Sequence, residues 1–163
     1  MDRGPRVRAA IITVSDGCAA GAKQDLTGPA LARLLSENGW EIVATSVIPD
    51  EIEAIRSNVK EQVAESVRLI VLTGGTGISP RDVTPEAIRP MLDKEVPGLG
   101  ELMRLRGLEQ TEKAALSRSL AGCIEASLIF CLPGSTSGAT QSLAAVLGLL
   151  PHAIDLLEGK TGH

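Results

Sequence analysis

One glycine-rich segment, TGGTGISPRDVT at residues 73–84, has the composition of an anion-binding site. Its glycines Gly74, Gly75 and Gly77 allow the backbone to approach a ligand closely and to direct several N–H groups at it. The segment is not a Walker A loop, because no Gly-Lys-Ser/Thr follows, and Pro80 stands where the Rossmann fingerprint requires glycine. Two interpretations stay open: a phosphate-binding loop, or a chain reversal that only needs positive φ angles.

Two aspartates follow predicted strands and could together hold a metal ion. Asp50 comes after an apolar run, and Asp82 lies in the glycine-rich segment. Mg²⁺ prefers a few carboxylate oxygens, with water and substrate phosphates completing its octahedron. Each aspartate also has a purely structural interpretation, Asp50 as the N-cap of the next helix and Asp82 in an Asx-turn beside Thr84 and Pro85. If both face one crevice, the pair predicts a magnesium site.

A second strand-to-helix junction, LPGSTSG at residues 132–138, is another candidate anion site. Backbone N–H groups and hydroxyls at a helix N-terminus bind anions, although ordinary capping by Thr136 or Ser137 is an equally good interpretation. The segment is not a nucleophile elbow, because G-x-S-x-G would place serine at position 136. Arg118 lies in a largely apolar stretch, and by itself indicates a surface arginine more readily than a ligand.

These segments lie between apolar runs of strand length and segments of helical period. Such alternation predicts an α/β fold with a mainly parallel sheet, in which ligands bind outside the carboxyl ends of the strands. The predicted strands are residues 7–14, 42–48, 67–72 and 127–132, and residues 116–124 are ambiguous between strand and loop.

The helices are predicted from apolar residues that recur at three- or four-residue steps. Thr84 is predicted as a hydroxyl N-cap, with Pro85 at the first helical position. The other predicted helices run from Gly28-Pro29 to Asn38-Gly39, through Ile52, Ile55, Val59 and Val63, over residues 98–108, and through Leu143, Val146, Leu147 and Leu150 to a new turn at Pro151.

Composition predicts one soluble domain, residues 1–163, with 44% hydrophobic residues and a net charge of −4. Trp40 and Phe130 are the only aromatic residues, so platforms for base stacking are missing. The negative net charge likewise provides no basic field for nucleic acid. Two histidines argue against a zinc site, which leaves oxygen ligands for any metal. We expect a cytoplasmic protein without a membrane partner, because leader features and an uninterrupted apolar span are absent. The cysteines form no C-x-x-C pair, and Cys131, which lies inside an apolar run, is expected to be a core residue.

Five motifs, in this order and at this spacing, resemble the molybdopterin-binding family. They are TGGTG at residues 73–77, RDVTPEA at 81–87, PGLGELMR at 97–104, Ser117-Arg118, and LPG at 132–134. The combination of the first two is highly specific, and the likeness extends from Ser15-Asp16 to Gly159. The chain is similar to the stand-alone bacterial molybdopterin adenylyltransferases and to the G domains of gephyrin and its plant counterpart.

The resemblance implies a three-layer αβα sandwich that is usually trimeric. It also implies transfer of AMP from the co-substrate ATP to the terminal phosphate of molybdopterin, with release of pyrophosphate. The pair of carboxylates predicts Mg²⁺ as cofactor. The family's two essential aspartates fall on Asp50 and Asp82, which would also hold the metal. Nucleotide binding falls on Gly74, Gly75, Thr76 and Gly77. The molybdopterin side falls on Ser15, Asp25, Ser117, Arg118, Pro133, Gly134 and Ser135.

The chain departs from the family pattern at two places. Gly17 stands where many members have an arginine after Ser-Asp, and Ser135-Thr136 follows Leu-Pro-Gly as in a sister branch, some of whose bacterial members lack the activity. A catalytically silent molybdopterin-binding module is therefore the alternative. The sister branch commonly loses Arg-Asp-Val-Thr, which this chain keeps at residues 81–84, so we expect the active enzyme. A nicotinamide-dependent oxidoreductase is disfavoured by Pro80.

Overall fold

The computed structural model describes residues 6–160 and 162. Its strands are β1 (Arg8–Val14), β2 (Glu41–Ile48), β3 (Leu69–Thr73), β4 (Lys94–Glu95), β5 (Leu120–Ile124) and β6 (Ser127–Leu132). They form one sheet in the order β2-β1-β3-β6-β5-β4. The pairs β2–β1, β1–β3 and β3–β6 are parallel, and β5 and β4 add antiparallel strands at one edge. The prediction of a mainly parallel sheet is confirmed.

Seven α-helices occupy the described part of the chain. They are α1 (Asp16–Ala19), α2 (Thr27–Glu37), α3 (Ile52–Ala64), α4 (Thr84–Ile88), α5 (Pro97–Leu108), α6 (Thr136–Val146) and α7 (Leu150–Leu157). Short 3₁₀ turns cover Arg89–Met91, Glu112–Leu116 and Leu147–Leu149. The ambiguous stretch 116–124 resolves into the end of a 3₁₀ turn, a short loop and then β5. The sequence did not predict α1 or β4, which are too short to show a hydrophobic period.

Helices cover both faces of the sheet, because alternate strand residues point to opposite sides. Ala9 and Ile11 of β1 belong to a core with α2, α5, α6 and α7, whereas Ala10 and Ile12 belong to a second core with α3 and α4. Burial on both faces explains why the central strands are apolar at nearly every position. The three-layer αβα sandwich is confirmed.

The last helical stretch, Thr136–Leu157, is long and apolar enough by length and composition to cross a membrane. In this fold it consists of α6, a 3₁₀ turn and α7, and its residues Leu143, Val146, Leu150 and Ile154 are buried in the first core. Core helices of soluble proteins meet the same criteria, so the stretch is weak support for a membrane span.

The strand order reverses at β1, which has β2 on one side and β3 on the other. Ligands bind at such switch points in open α/β sheets, outside the carboxyl ends of the strands. Here the glycine-rich segment after β3 crosses the end of β1: Gly74 has a φ of +104°, and a Cβ there would overlap the carbonyl oxygen of Val14. Only glycine fits this crossing.

Candidate active site

Two adjoining cavities open at the carboxyl edge of the sheet. The larger cavity, about 630 Å³, lies between the glycine-rich segment, the end of α5 and the start of α6. The smaller cavity, about 380 Å³, lies between the loops that follow β1, β2 and β3. Four residues line both cavities: Gly75, Asp82, Gly134 and Ser135. The glycine-rich segment and the Leu-Pro-Gly turn therefore form the boundary between two compartments.

Asp50 lies in the smaller cavity and is bonded to the loop after β1. The backbone N–H of Asp16 donates to Asp50 Oδ2 at 2.8 Å, and the N–H of Asp50 donates to Asp16 Oδ1 at 3.0 Å. The prediction of Asp50 as an N-cap is wrong, since Glu51 occupies the N-cap position of α3 without a side-chain bond. Burial raises the pKa of Asp50, and the charges of Asp16 and Asp82 raise it further, against the Asp16 N–H bond.

Asp82 lies at the boundary of the two cavities, in a tight loop. The N–H of Ser79 donates to Asp82 Oδ2 at 2.9 Å, and the N–H of Asp82 donates back to Ser79 O at 2.9 Å. The Asx-turn predicted beside Thr84 and Pro85 is therefore wrong in its partner, because the carboxylate bonds backwards to Ser79. The carboxylate is thereby oriented by backbone on its own loop.

Asp16 and Arg81 form an ion pair at the site that sequence reasoning missed. Arg81 donates from Nε and Nη2 to the two carboxylate oxygens of Asp16, each at 2.9 Å. These bonds, and next the N–H of Asp50, hold the pKa of Asp16 below its usual range. The only sequence signal was an aspartate directly after β1; its partner lies 65 residues away. The pair ties together the loops after β1, β2 and β3.

The donor set at this edge fits a divalent cation with few protein ligands. Asp50 and Asp82 both line the smaller cavity. Among residues 6–160 and 162, no group of three or more His, Cys, Asp or Glu side chains is placed to hold a metal ion. Two carboxylates, with water and ligand phosphates as the remaining oxygens, match the coordination habit of Mg²⁺.

Thr84 holds the glycine-rich segment in its turn through two hydrogen bonds. Its buried hydroxyl donates to Gly74 O at 2.8 Å, and its N–H donates to Gly75 O at 3.1 Å. The hydroxyl is therefore not the predicted N-cap of α4, a position that Val83 occupies. Gly75 has a φ of +70°, and a Cβ there would overlap the hydroxyl of Thr84. Both interpretations of the glycines are thus compatible: they are needed for the reversal, and they face the cavities.

The Leu-Pro-Gly turn is fastened to the glycine-rich segment. Thr73 Oγ1 donates to Pro133 O at 2.6 Å, and the N–H of Gly74 donates to Leu132 O at 3.0 Å. Ser135 is the N-cap of α6 and accepts from the N–H of Gly138 at 3.1 Å. Capping is confirmed, but by Ser135 and not by the predicted Thr136 or Ser137.

The residues that the resemblance assigns to molybdopterin are divided between the cavities. Ser15 and Asp25 line the smaller cavity beside Asp50, and Ser117 lines the larger one. Asp25 accepts from Thr13 Oγ1 at 2.8 Å and from the N–H of Gly28 at 3.0 Å, so it also secures the start of α2. Gly134 and Ser135 connect the two groups.

Arg118 lines a third cavity of about 300 Å³, and its guanidinium bonds to the glycine-rich segment.

The larger cavity carries polar groups that the sequence did not single out. They are Arg104, Gln110, Thr111, Lys113, Gln141 and Ser142. Packing of α5 against α6 brings them together. Arg104 ends the PGLGELMR motif at 97–104 but was not a predicted site residue, and the other five belong to no motif named above.

Residues 10–152 match the model of a family described as "Probable molybdopterin binding domain". The chain belongs to this molybdopterin-binding family. It is 37% identical over 154 residues to a protein of Helicobacter pylori J99 named molybdopterin adenylyltransferase, covering 92% of this chain and 87% of that protein. The predicted resemblance and fold are confirmed.

Solved structures and longer relatives agree with this membership. The crystal structure of the molybdopterin biosynthesis enzyme MoaB from Thermus thermophilus superposes with a TM-score of 0.89 at 48% identity, covering 94% of this chain and 98% of that one. The Drosophila melanogaster molybdenum cofactor synthesis protein cinnamon is 40% identical over 149 residues, which are 90% of this chain. The aligned residues are only 25% of that longer relative.

Proposed function

We propose that this family member transfers AMP from ATP to the terminal phosphate of molybdopterin, giving adenylyl-molybdopterin and pyrophosphate. The observation that carries the proposal is the position of Asp82, which lies on the boundary between two cavities, with Asp50 lining one of them. A transfer reaction needs two ligands to meet end to end, whereas a binding module needs one compartment. The named adenylyltransferase relative supports the same reaction.

The chemistry is an in-line attack by a phosphate oxygen of molybdopterin on the α-phosphorus of ATP. The new bond is P–O, the bond that breaks joins the α-phosphorus to the bridging oxygen, and pyrophosphate leaves with the electron pair. The nucleophile is already an anion, so a strong general base is not required. The barrier lies in bringing two negative groups together, and catalysis is mostly positioning and electrostatics.

Asp50 and Asp82 would hold Mg²⁺, which when bound offsets the repulsion between the phosphates and stabilises the leaving pyrophosphate. Arg81 lies close enough to Asp50 for its charge to lower the pKa of that carboxyl, and its guanidinium forks onto Asp16. The Asp16 carboxylate in turn accepts from the backbone N–H of Asp50, and the Asp16 N–H donates to the Asp50 carboxylate. These contacts keep the Asp50 carboxylate in one place before substrates arrive.

The two cavities allow the two substrates to be assigned. We assign the pterin to the larger cavity, because Ser117 and the turn Gly134-Ser135 line it together. We assign the triphosphate to the boundary, along the N–H groups of Gly75, Thr76 and Gly77, because the N–H of Gly74 is already bonded to Leu132 O. Ser15 and Asp25 then lie on the nucleotide side, beside Asp50.

Pyrophosphate release, with anaerobic molybdopterin, ATP and Mg²⁺, tests the proposal. Asp82→Asn should reduce turnover by about a thousandfold at an unchanged melting temperature, because it removes a metal ligand and little packing. Asp155→Asn is the matched control, since Asp155 is an exposed carboxylate on α7. Molybdopterin binding by wild type without pyrophosphate release would instead support the silent binding module.

We also propose that the chain acts as a homotrimer, as the resemblance implies, and that it does so in the cytoplasm, as the sequence features predict. Three leucines on α5 and the turn after it are largely exposed, Leu105, Leu108 and Leu116. Apolar side chains of this kind favour self-association. Sedimentation equilibrium should give three times the 17.0 kDa chain mass.

A further inference from the structure

Arg118 makes four hydrogen bonds to the single segment that follows β3. Its backbone N–H donates to Thr76 O at 2.7 Å, and its Nε donates to Gly77 O at 2.8 Å. Nη2 donates to Asp82 O at 2.9 Å, and Nη1 donates to Glu86 Oε1. The guanidinium therefore already has three protein acceptors, and all of them lie on one loop and the helix that follows it.

The two carbonyls held by the guanidinium are the two ends of the loop that carries a catalytic carboxylate. Gly77 begins this loop and Asp82 ends it. A planar guanidinium presents its N–H donors in a fixed fork, so it sets the distance between the two carbonyls. Within the closed loop, Ser79 N–H orients the Asp82 carboxylate. Opening the loop would release that carboxylate.

We infer that Arg118 is a positioning residue for Asp82 and, because it lines the third cavity and not the larger one assigned to the pterin, that it does not bind the molybdopterin phosphate. This differs from the role that the resemblance assigns to Arg118. The inference rests on the proposed function only for its effect on turnover, because the loop contacts are independent of the reaction.

Glu86 is the third acceptor of the Arg118 guanidinium. Its side chain is exposed on α4, and the hydrogen bond from Arg118 holds the pKa of its carboxyl below the usual range. At neutral pH the carboxylate therefore orients the guanidinium onto the two carbonyls. Lysine keeps the charge of arginine, but its single nitrogen cannot reproduce the fork.

Hydrogen exchange tests the positioning role without any catalysis. In Arg118→Lys, the amides of Ser79 and Asp82 should exchange roughly tenfold faster or more, since hydrogen bonds from a charged donor to the loop are lost. Amides of β3 and β6 should keep their protection. Arg106→Lys is the matched control, because Arg106 is an exposed arginine paired with Glu109 on the outer part of α5.

Kinetics separate positioning from ligand binding. Arg118→Lys should lower kcat by about tenfold, while the Kd for molybdopterin stays within about twofold. Glu86→Gln keeps Arg118 and should shift both exchange and kcat in the same direction, and it serves if Arg118→Lys folds poorly. Lost molybdopterin affinity with normal loop protection would overturn the inference, as would unchanged exchange and turnover. If wild type releases no pyrophosphate, the proposed function fails, and exchange and affinity still decide the role of Arg118.

Discussion

A substitution of Gly75 should lower the free energy of unfolding, because the new side chain would clash with the buried residue Thr84. Alanine at position 75 would place a Cβ over the Thr84 hydroxyl, and at 3.2 Å from Asp50 Oδ1. Thr84 is fully buried, and its hydroxyl already donates to Gly74 O at 2.8 Å. The threonine cannot move without giving up that bond.

The magnitude follows from two costs. Holding alanine at a φ of +70° costs about 1 kcal/mol, because the left-handed region crowds Cβ against the backbone. Displacing the hydroxyl leaves a buried carbonyl unpaired, which costs about 1–3 kcal/mol. Gly75→Ala should therefore lose about 3 kcal/mol of unfolding free energy, or roughly 10 °C in Tm for a domain of this size.

A double-mutant cycle isolates the clash. Thr84→Ala alone should cost about 1–3 kcal/mol, since it also unpairs Gly74 O. In the double variant that bond is lost only once and the overlap with the hydroxyl disappears, so the total should fall short of the sum by about 1–3 kcal/mol. Denaturant unfolding at one fixed protein concentration measures each term. Gly148→Ala is the control, because a Cβ there meets nothing within 4 Å.

Additive costs in this cycle would refute the reasoning, because they would show that Gly75 and Thr84 do not interact through the added Cβ. A neutral Gly75→Ala would refute it more directly. Gly75→Ala should also weaken ATP binding more than molybdopterin binding if the loop N–H groups hold phosphate. Separate titrations of each ligand in the same buffer distinguish this effect from loss of folded protein.

The remaining predictions concern titration and thiols. The lowered pKa of Asp16 means that its charge stabilises the fold above about pH 4, so Asp16→Asn should lower Tm at pH 7 and the difference should vanish as the pH falls through the folded pKa. The raised pKa of Asp50 has the opposite effect on stability, because ionising this carboxyl destabilises the folded state. The Tm of Asp50→Asn relative to wild type should therefore rise as the pH rises through the Asp50 pKa, and the variant should lose turnover. Native protein should react with a thiol reagent at Cys18 alone, because Cys123 and Cys131 are buried and burial strongly raises the pKa of the Cys131 thiol; rapid labelling of Cys131 would contradict its core placement.

Much of the architecture could be predicted from local patterns. Apolar runs predicted the bounds of β1, β2, β3 and β6 to within two residues, because a strand buried on both faces must be apolar at successive positions. The glycine-rich segment and the two aspartates were placed at strand ends, and parallel topology puts those ends at one edge of the sheet. The family resemblance rested on motifs of the same segments. Strand β4 escaped prediction because two residues show no period.

The tertiary structure alone decided which polar partners meet. Asp16 and Arg81 are 65 residues apart, and Asp16 and Asp50 are 34 apart. Whether such groups bond depends on strand order and on register, which bring the loops after β1, β2 and β3 together. Local rules assigned Asp50 and Thr84 to helix caps, yet both side chains bond across loops instead.

The division of the site into two cavities was also decided only by packing. The larger cavity exists because α5 packs beside α6, and the boundary exists because Thr73 bonds the carbonyl of Pro133. A sequence determines residue types, local conformation and periodicity within a few turns of chain. Contacts between distant segments arise from burying two apolar faces of one sheet, and that global constraint has no local signature.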